Sequence, residues 1–299
     1  MFYSLRLSIY FMAIILFGLG LGACKKSEAV IIPNNNVPYY EGITTVQIQN
    51  YVTKTFIDII GAEPDLASRD SWVNSLKADG LDSAARANFV NALFQMPQFR
   101  VQFDNVYFAP IFGGAYDTVA VNNQIAELNY FRSLAIANGD STLSQFWSYE
   151  IGKLTLVRSA SDEYHAGQIS LNEAKRRLAH NYIYDQINMG TTNFVIACFE
   201  NFLKRMPTDI ELSNSETMVN GLAARIFMVD GSTKGNFLTI MTSTSGFYEG
   251  LVIDTYLHLL SRNPNSIEMG YNTQYLENGN INVKDLIRNV AITEEYVGF

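Results

Sequence analysis

The fold class predicted by the sequence is all-α: three related helix-turn-helix-turn-helix units and an unrepeated helical middle region. Beyond Thr44, apolar residues fall at three- and four-residue spacing, as in Val52, Phe56, Ile59 and Ile60, or Phe89, Ala92, Leu93 and Met96. That is the period of a helix with one buried face. Strand-like alternation is scarce, and Leu154 to Arg158 is the one stretch that reads either way. The third observation is a repeat. Phe56 to Pro64 aligns without gaps on Phe199 to Pro207 and on Tyr256 to Pro264, an aromatic followed by two large apolar residues and then proline.

Taken in order, the chain opens with an address. Residues 1–23 carry Arg6, an apolar run from Ile9 to Leu19 and small residues up to Cys24, the parts of a secretory signal peptide. The run is too short for a bilayer span, which takes roughly 20 apolar residues. Leu21-Gly22-Ala23-Cys24 resembles the lipobox of bacterial lipoproteins, which implies cleavage before Cys24 and lipidation of its thiol and amine. Lys25 and Lys26 stand beside that anchor, where each gains about 1 kcal/mol near an anionic leaflet. Residues 24–44 are rich in Pro and Asn and read as a polar tether.

Unit 1 spans 45–109, the middle region 110–190, unit 2 191–249 and unit 3 250–299. In each unit the proline is expected to stop the first helix, because it cannot continue one and biases the residue before it away from the α region. Asp65, Thr208 and Asn265 follow the prolines as N-caps of the second helix. Glu211 and Glu268 stand three residues further on and complete capping boxes, where unit 1 has Ser68. Gly80, Gly231 and Gly279 are expected to take the left-handed conformation that ends the second helix. Phe99, Phe247 and Tyr296 close the units.

In the middle region the reading is a loop at Gly113-Gly114, helices over Asn122–Ala137 and Leu143–Leu154, a polar loop over Ser159–Gly167, and a helix from Leu171 to about Gln186. The last begins with the capping box Ser170-Leu171-Asn172-Glu173.

Arg205 and Arg262 occur in the units that carry Glu211 and Glu268, while unit 1 has Ala62 and Ser68, so both partners are missing together. The simpler reading is an ion pair tying one helix end to the next helix start, worth about 0–1 kcal/mol if exposed. The other is an arginine that grips a carboxylate or phosphate. The pattern aromatic-x-x-aliphatic-aliphatic-x-Arg-x-Pro, then an acid, a Gly and a closing Ser/Thr-x-x-Tyr, resembles phycobilisome-linker-like helical modules of bacterial surface and extracellular proteins. It is also similar to a helical domain of unknown function that accompanies membrane cytochromes in planctomycetes. These resemblances imply a scaffold or interaction role and carry over no catalytic residue.

Chemistry is sparsely signalled. With 21 basic and 29 acidic residues the formal charge is −8, so the composition offers no general attraction to nucleic acid. His165, His180 and His258 have no mutual metal-ligand spacing, and His258 matches Asp58 and Asn201 in the other units, which reads as a solvated face. His165 lies among Asp162, Glu163 and Tyr164, where a metal or general base is conceivable. Cys198 lies on the stripe Phe194, Cys198, Phe202 and reads as a buried thiol. No cofactor motif is present, and no catalytic or metal residue is assigned. The function expected is a lipid-anchored envelope protein, non-enzymatic, binding an envelope protein or a glycan. The alternative is a glycan- or cell-wall-directed hydrolase using Glu127, Glu150, Asp162 and Glu163. Tyr39, Tyr40, Tyr116, Tyr149 and Tyr164 are the aromatics available to a glycan surface.

Overall fold

The computed structural model describes residues 42–113 and 117–299; Cys24, the signal segment and nearly all of the tether lie outside the described residues, as do Tyr39, Tyr40 and Tyr116. Helix makes up 74% of what is described, in fifteen α-helices with one small hairpin. No described helix is long and apolar enough to cross a membrane.

Helix α1 (Thr45–Ile60) starts on a capping box between Thr44 and Gln47. It is followed by α2 (Leu66–Ala78), α3 (Ser83–Leu93) and α4 (Pro97–Tyr107). A 3-10 turn (Ala109–Phe112) leads to two long helices, α5 (Thr118–Ala137) and α6 (Ser141–His165), and then to α7 (Leu171–Ala179) and α8 (Tyr182–Ile187). Beyond these come α9 (Thr191–Leu203), α10 (Asp209–Val219) and the antiparallel hairpin β1 (Ala224–Ile226) with β2 (Val229–Gly231). The chain finishes with α11 (Lys234–Met241), α12 (Ser245–Leu260), α13 (Ser266–Glu277), α14 (Val283–Ala291) and α15 (Glu294–Val297).

The three prolines do not themselves stop a helix. Helices α1, α9 and α12 end earlier, at Gly61, Lys204 and Ser261, which adopt φ of 81°, 55° and 54°. A left-handed residue there turns the chain out of the helix, and proline then keeps the short link extended. Asp65, Thr208 and Asn265 do cap the helices that follow, each accepting from the amide three residues on, at Ser68, Glu211 and Glu268.

Gly80 and Gly279 have positive φ, but Gly231 does not: it lies in β2, and Gly221, at φ 89°, stands just past the end of α10. The hairpin is inserted between that glycine and Thr233. Gly231 is needed there for closeness, since a Cβ would come within 2.8 Å of Met218 Sδ and 2.9 Å of Asn236 Cβ.

The middle region also differs from expectation. Leu154–Arg158 is helical, and the polar stretch from Ser159 runs on as the last turns of α6 to His165. Ser159 bonds back to the carbonyls of Thr155 and Leu156, and Ser161 turns inward, so these serines are satisfied without leaving the helix. The helix from Leu171 breaks at His180, because Asn181 takes the carbonyls of Arg177 and Leu178 and caps α8.

The core is aromatic. Phe199, Phe202, Phe237, Phe247, Phe89 and Tyr51 are at most 1% exposed. Helix α9 lies close on α12, where a Cβ at Gly250 would meet the Phe202 carbonyl oxygen at 2.2 Å.

Candidate functional site

The arginines come from helix ends and meet the next helix start. Arg205 follows the left-handed Lys204, and its two Nη atoms reach Glu211 at 2.8 and 2.7 Å, while Glu211 also accepts from the Thr208 amide at 2.8 Å. The Arg205 bond is the main reason the Glu211 carboxyl is held down at about 2. The guanidinium lies 5.3 Å from the ring centre of Phe199 and 6.0 Å from that of Phe227 on the hairpin. Arg262 repeats the arrangement with Glu268 at 2.8 Å on both Nη atoms and the Tyr256 ring at 5.4 Å. It adds a second carboxylate: Glu295 of α15 takes Nε at 2.6 Å and Nη2 at 2.5 Å.

A polar cleft of about 490 Å³ separates α4 from α6 and is lined by Arg100, Asp104, Asp117, Arg158, Ser161 and Asp162, among others. Ser161 Oγ donates to Asp104 Oδ2 at 2.5 Å, and His165 Nε2 lies 3.0 Å from Asp104 Oδ1. The carboxylate therefore sits between hydroxyl and imidazole, whereas an activated serine needs the imidazole against its own oxygen. Arg100 pairs with Asp162, and Asp117 caps α5 through the Val119 amide at 2.8 Å. Asp104 and Asp162 thus tie α4 to α6, and Asp117 is engaged at the start of its own helix.

The other sequence candidates disperse. Glu127 bonds Gln124 at 2.8 Å, and Glu163 pairs with Arg177 at 2.7 Å. Bonds from Ser159 and then Arg177 keep the Glu163 carboxyl below its ordinary value. Glu150 is buried against Lys153 at 2.7 Å, and its Oε2 has no hydrogen-bond partner. Tyr164 is packed against Phe103 rather than presented at the surface, and burial raises its hydroxyl. His180 is pushed down to about 4, by burial first and then by Lys153 and Arg176.

His258 corrects the solvated-face reading: its Nε2 lies 2.8 Å from the Asp58 carbonyl oxygen, joining α12 to α1. Asp58 and Asn201 are likewise engaged, by the hydroxyls of Tyr296 at 2.8 Å and Tyr184 at 3.0 Å. Cys198 is fully buried, and burial pushes its thiol up to about 12. No group of three or more metal-ligating side chains occurs among the described residues.

Two features escaped the sequence. Lys175 is 2% exposed, 3.9 Å from Asp254, and burial lowers its ammonium to about 8. Its place on the buried stripe of α7, with Leu171, Ala174 and Leu178, was the available signal. The other is an apolar cleft of about 350 Å³ lined by Tyr164, Leu171, Tyr248, Leu251, Leu276 and Val283, whose members come from five separate helices and their flanks. Comparison with protein-family models, curated proteins and solved structures finds no match to this chain.

Proposed function

We propose that this chain is a lipid-anchored protein of the bacterial envelope, a non-enzymatic scaffold of repeated helical units that presents an interaction surface to an envelope protein or a glycan. The lipid anchor rests on Cys24 and its neighbours in the sequence.

The repeat reading draws support from burial. Residues 51–60 and 194–203 run through the same order of buried, half-buried and exposed positions, and 251–260 departs from it only at Leu260. The middle region then holds a fourth, enlarged unit. Phe108 takes the place of Phe56, Gly113 with φ 68° that of Gly61, and Asp117, the cap of α5, that of Asp65. Ser170 and Tyr184 match Asn282 and Tyr296, and residues 171–179 follow the same burial order as 283–291. On this reading the α5–α6 hairpin stands where the other units have one second helix.

That hairpin carries the functional reading. It exposes Tyr130 at 60%, Ile136 at 61%, Phe146 at 47% and Tyr149 at 60%, with Val119, Leu134, Leu143 and Leu156 also exposed. Large apolar side chains exposed along one helical hairpin are the composition of a binding surface. A photo-crosslinker placed at Tyr130 in native envelope should give a discrete adduct that Phe146→Glu removes. Adducts that survive Phe146→Glu, or none at all, sink the scaffold reading. Cys24→Ala should release the protein from the membrane fraction; unchanged partition sinks the anchor.

The polar cleft between α4 and α6 favours the second reading, a glycan-directed hydrolase. Asp162→Asn, the candidate of the middle region that lines this cleft, should then abolish release of reducing ends from envelope glycan, and a parent protein that releases none disposes of it.

A further inference from the structure

Arg262 and Arg205 occupy matching places, yet Arg262 is held on two edges and Arg205 on one. The end of each guanidinium is filled by a carboxylate of its own capping box, Glu268 or Glu211. The side edge of Arg262, Nε and Nη2, is filled by Glu295, the second residue of α15. The second residue of α12, in the place that corresponds to Glu295, is Gly246. Among the described residues Glu211 is the one carboxylate paired with Arg205, through Nη1 and Nη2; Nε has no second carboxylate beside it, and the Arg205 side chain is 44% exposed.

Exposed apolar side chains stand close to Arg205 in the chain and on the hairpin tip. Met206 is 61% exposed, Ile210 75% and Met228 83%. Phe227, whose ring centre lies 6.0 Å from the guanidinium, and Met228 form the tip of the β1–β2 hairpin with φ of 48° and 65°. Two successive non-glycine residues at positive φ are strained, by roughly 1–3 kcal/mol each, and such strain gathers at functional positions. An arginine beside a half-buried aromatic ring, with exposed apolar side chains close in the chain, has the composition of an interface hot spot.

We propose that the Nε/Nη2 edge of Arg205 is a seat for the carboxylate of an acidic residue in a partner polypeptide, whose apolar neighbours lie against Met206, Phe227 and Met228. Glu295 on Arg262 is the template for its geometry: two parallel N–H donors to one carboxylate, the bidentate form that makes arginine selective for it. Glu249, one turn along α12, adds negative charge near Arg205 without pairing with it, and weakens the seat. The inference rests on the repeat and scaffold readings and names the chemistry of the partner.

The test uses the full chain in detergent micelles with ¹⁵N-arginine, following the Nε–H signals of Arg205 and Arg262. The probes are the blocked tripeptide Leu-Glu-Phe, its Leu-Gln-Phe counterpart and sodium acetate. The Glu peptide should shift Arg205 saturably, at least about tenfold more tightly than the Gln peptide or acetate, and leave Arg262 still. Gly246→Glu, which supplies the missing carboxylate in the chain, should abolish the Arg205 response. A Gln peptide that binds as well, an Arg262 that responds like Arg205, or a response that survives Gly246→Glu overturns the seat. Acetate matching the Glu peptide overturns the polypeptide assignment.

Should the Leu203 side chain, 3.3 Å from the new Cβ, prevent Gly246→Glu from folding, Glu249→Gln serves instead. It should tighten the Glu peptide at least about twofold, and unchanged or weaker binding overturns the seat. Glu295→Gln separates the two readings: it should open Arg262 to the peptide. If Arg262 stays silent while Arg205 responds, the repeat equivalence fails and the seat stands.

Discussion

Two seams close this molecule, α15 on α1 and α8 on α9, and they solve one packing problem with different chemistry. At the first, the Tyr296 hydroxyl donates to Asp58 Oδ2 at 2.8 Å, near Thr55, and Arg86 of the neighbouring α3 reaches Glu294 at 2.6 Å. At the second, Tyr184 lies over Cys198 with O···S at 3.7 Å, accepts from Asn201 at 3.0 Å, and Lys234 crosses to Asp185. The first seam sets a partly buried carboxyl against its tyrosine; the second sets a neutral amide and a thiol against its own. Geometry is therefore held by the aromatic and by the apolar layer below it, and the polar partner is free to vary.

The hardest test removes that shared layer. Phe202 is 1% exposed and Ile59 3%. Phe202→Ala should cost about 3–5 kcal/mol and Ile59→Ala about 2–5 kcal/mol, measured by denaturant unfolding. A loss under about 1 kcal/mol at either site breaks the comparison, because that seam would not rest on a packed layer. Leu260 is half-buried and should lose less than Leu259 on truncation.

Removing one hydroxyl at each seam should separate them. Tyr296→Phe strips a donor from a partly buried carboxylate and should cost about 1.5–3 kcal/mol, against about 1 kcal/mol for Tyr184→Phe. Equal losses would mean that the charge on Asp58 adds nothing.

A smaller effect depends on pH. The Asp58 carboxyl is held above its ordinary value by burial, opposed by the Tyr296 hydroxyl and by the charges of His258 and Lys54. Folding thus favours the protonated form. That contribution is fully present below the unfolded carboxyl value and is lost as pH rises through the native one. Asp58→Asn, which gives the first seam the chemistry of the second, should gain stability on the parent between about pH 3 and pH 7. A difference that stays flat or moves the other way over that span refutes the assignment of burial as the leading cause.

The smallest effect belongs to Cys198. With its thiol pushed up to about 12 and fully buried, it should resist a disulfide reagent at neutral pH until denaturant is added. Cys198→Thr should change stability by no more than about 1.5 kcal/mol.

Much of this was legible in the chain because it is local. Helical period, the caps at Asp65, Thr208 and Asn265, and the pairing of Arg205 and Arg262 with Glu211 and Glu268 all join residues within six positions of one another. The hairpin was not, because Phe227-Met228 lacks the Asn or Gly that normally marks a turn with positive φ. The polar end of α6 was misread for a related reason: Ser161 looks solvated in sequence, and only the approach of Asp104 from α4 gives it a buried partner.

The sequence by itself determined where helices begin and which face of each is apolar, since caps and periodicity act within one or two turns. Only the tertiary structure decided which polar side chains face each other: His258 with Asp58, Tyr184 with Cys198, Glu295 with Arg262. Those contacts join residues far apart in the chain, and their energy depends on burial and distance, which exist only once the helices have packed.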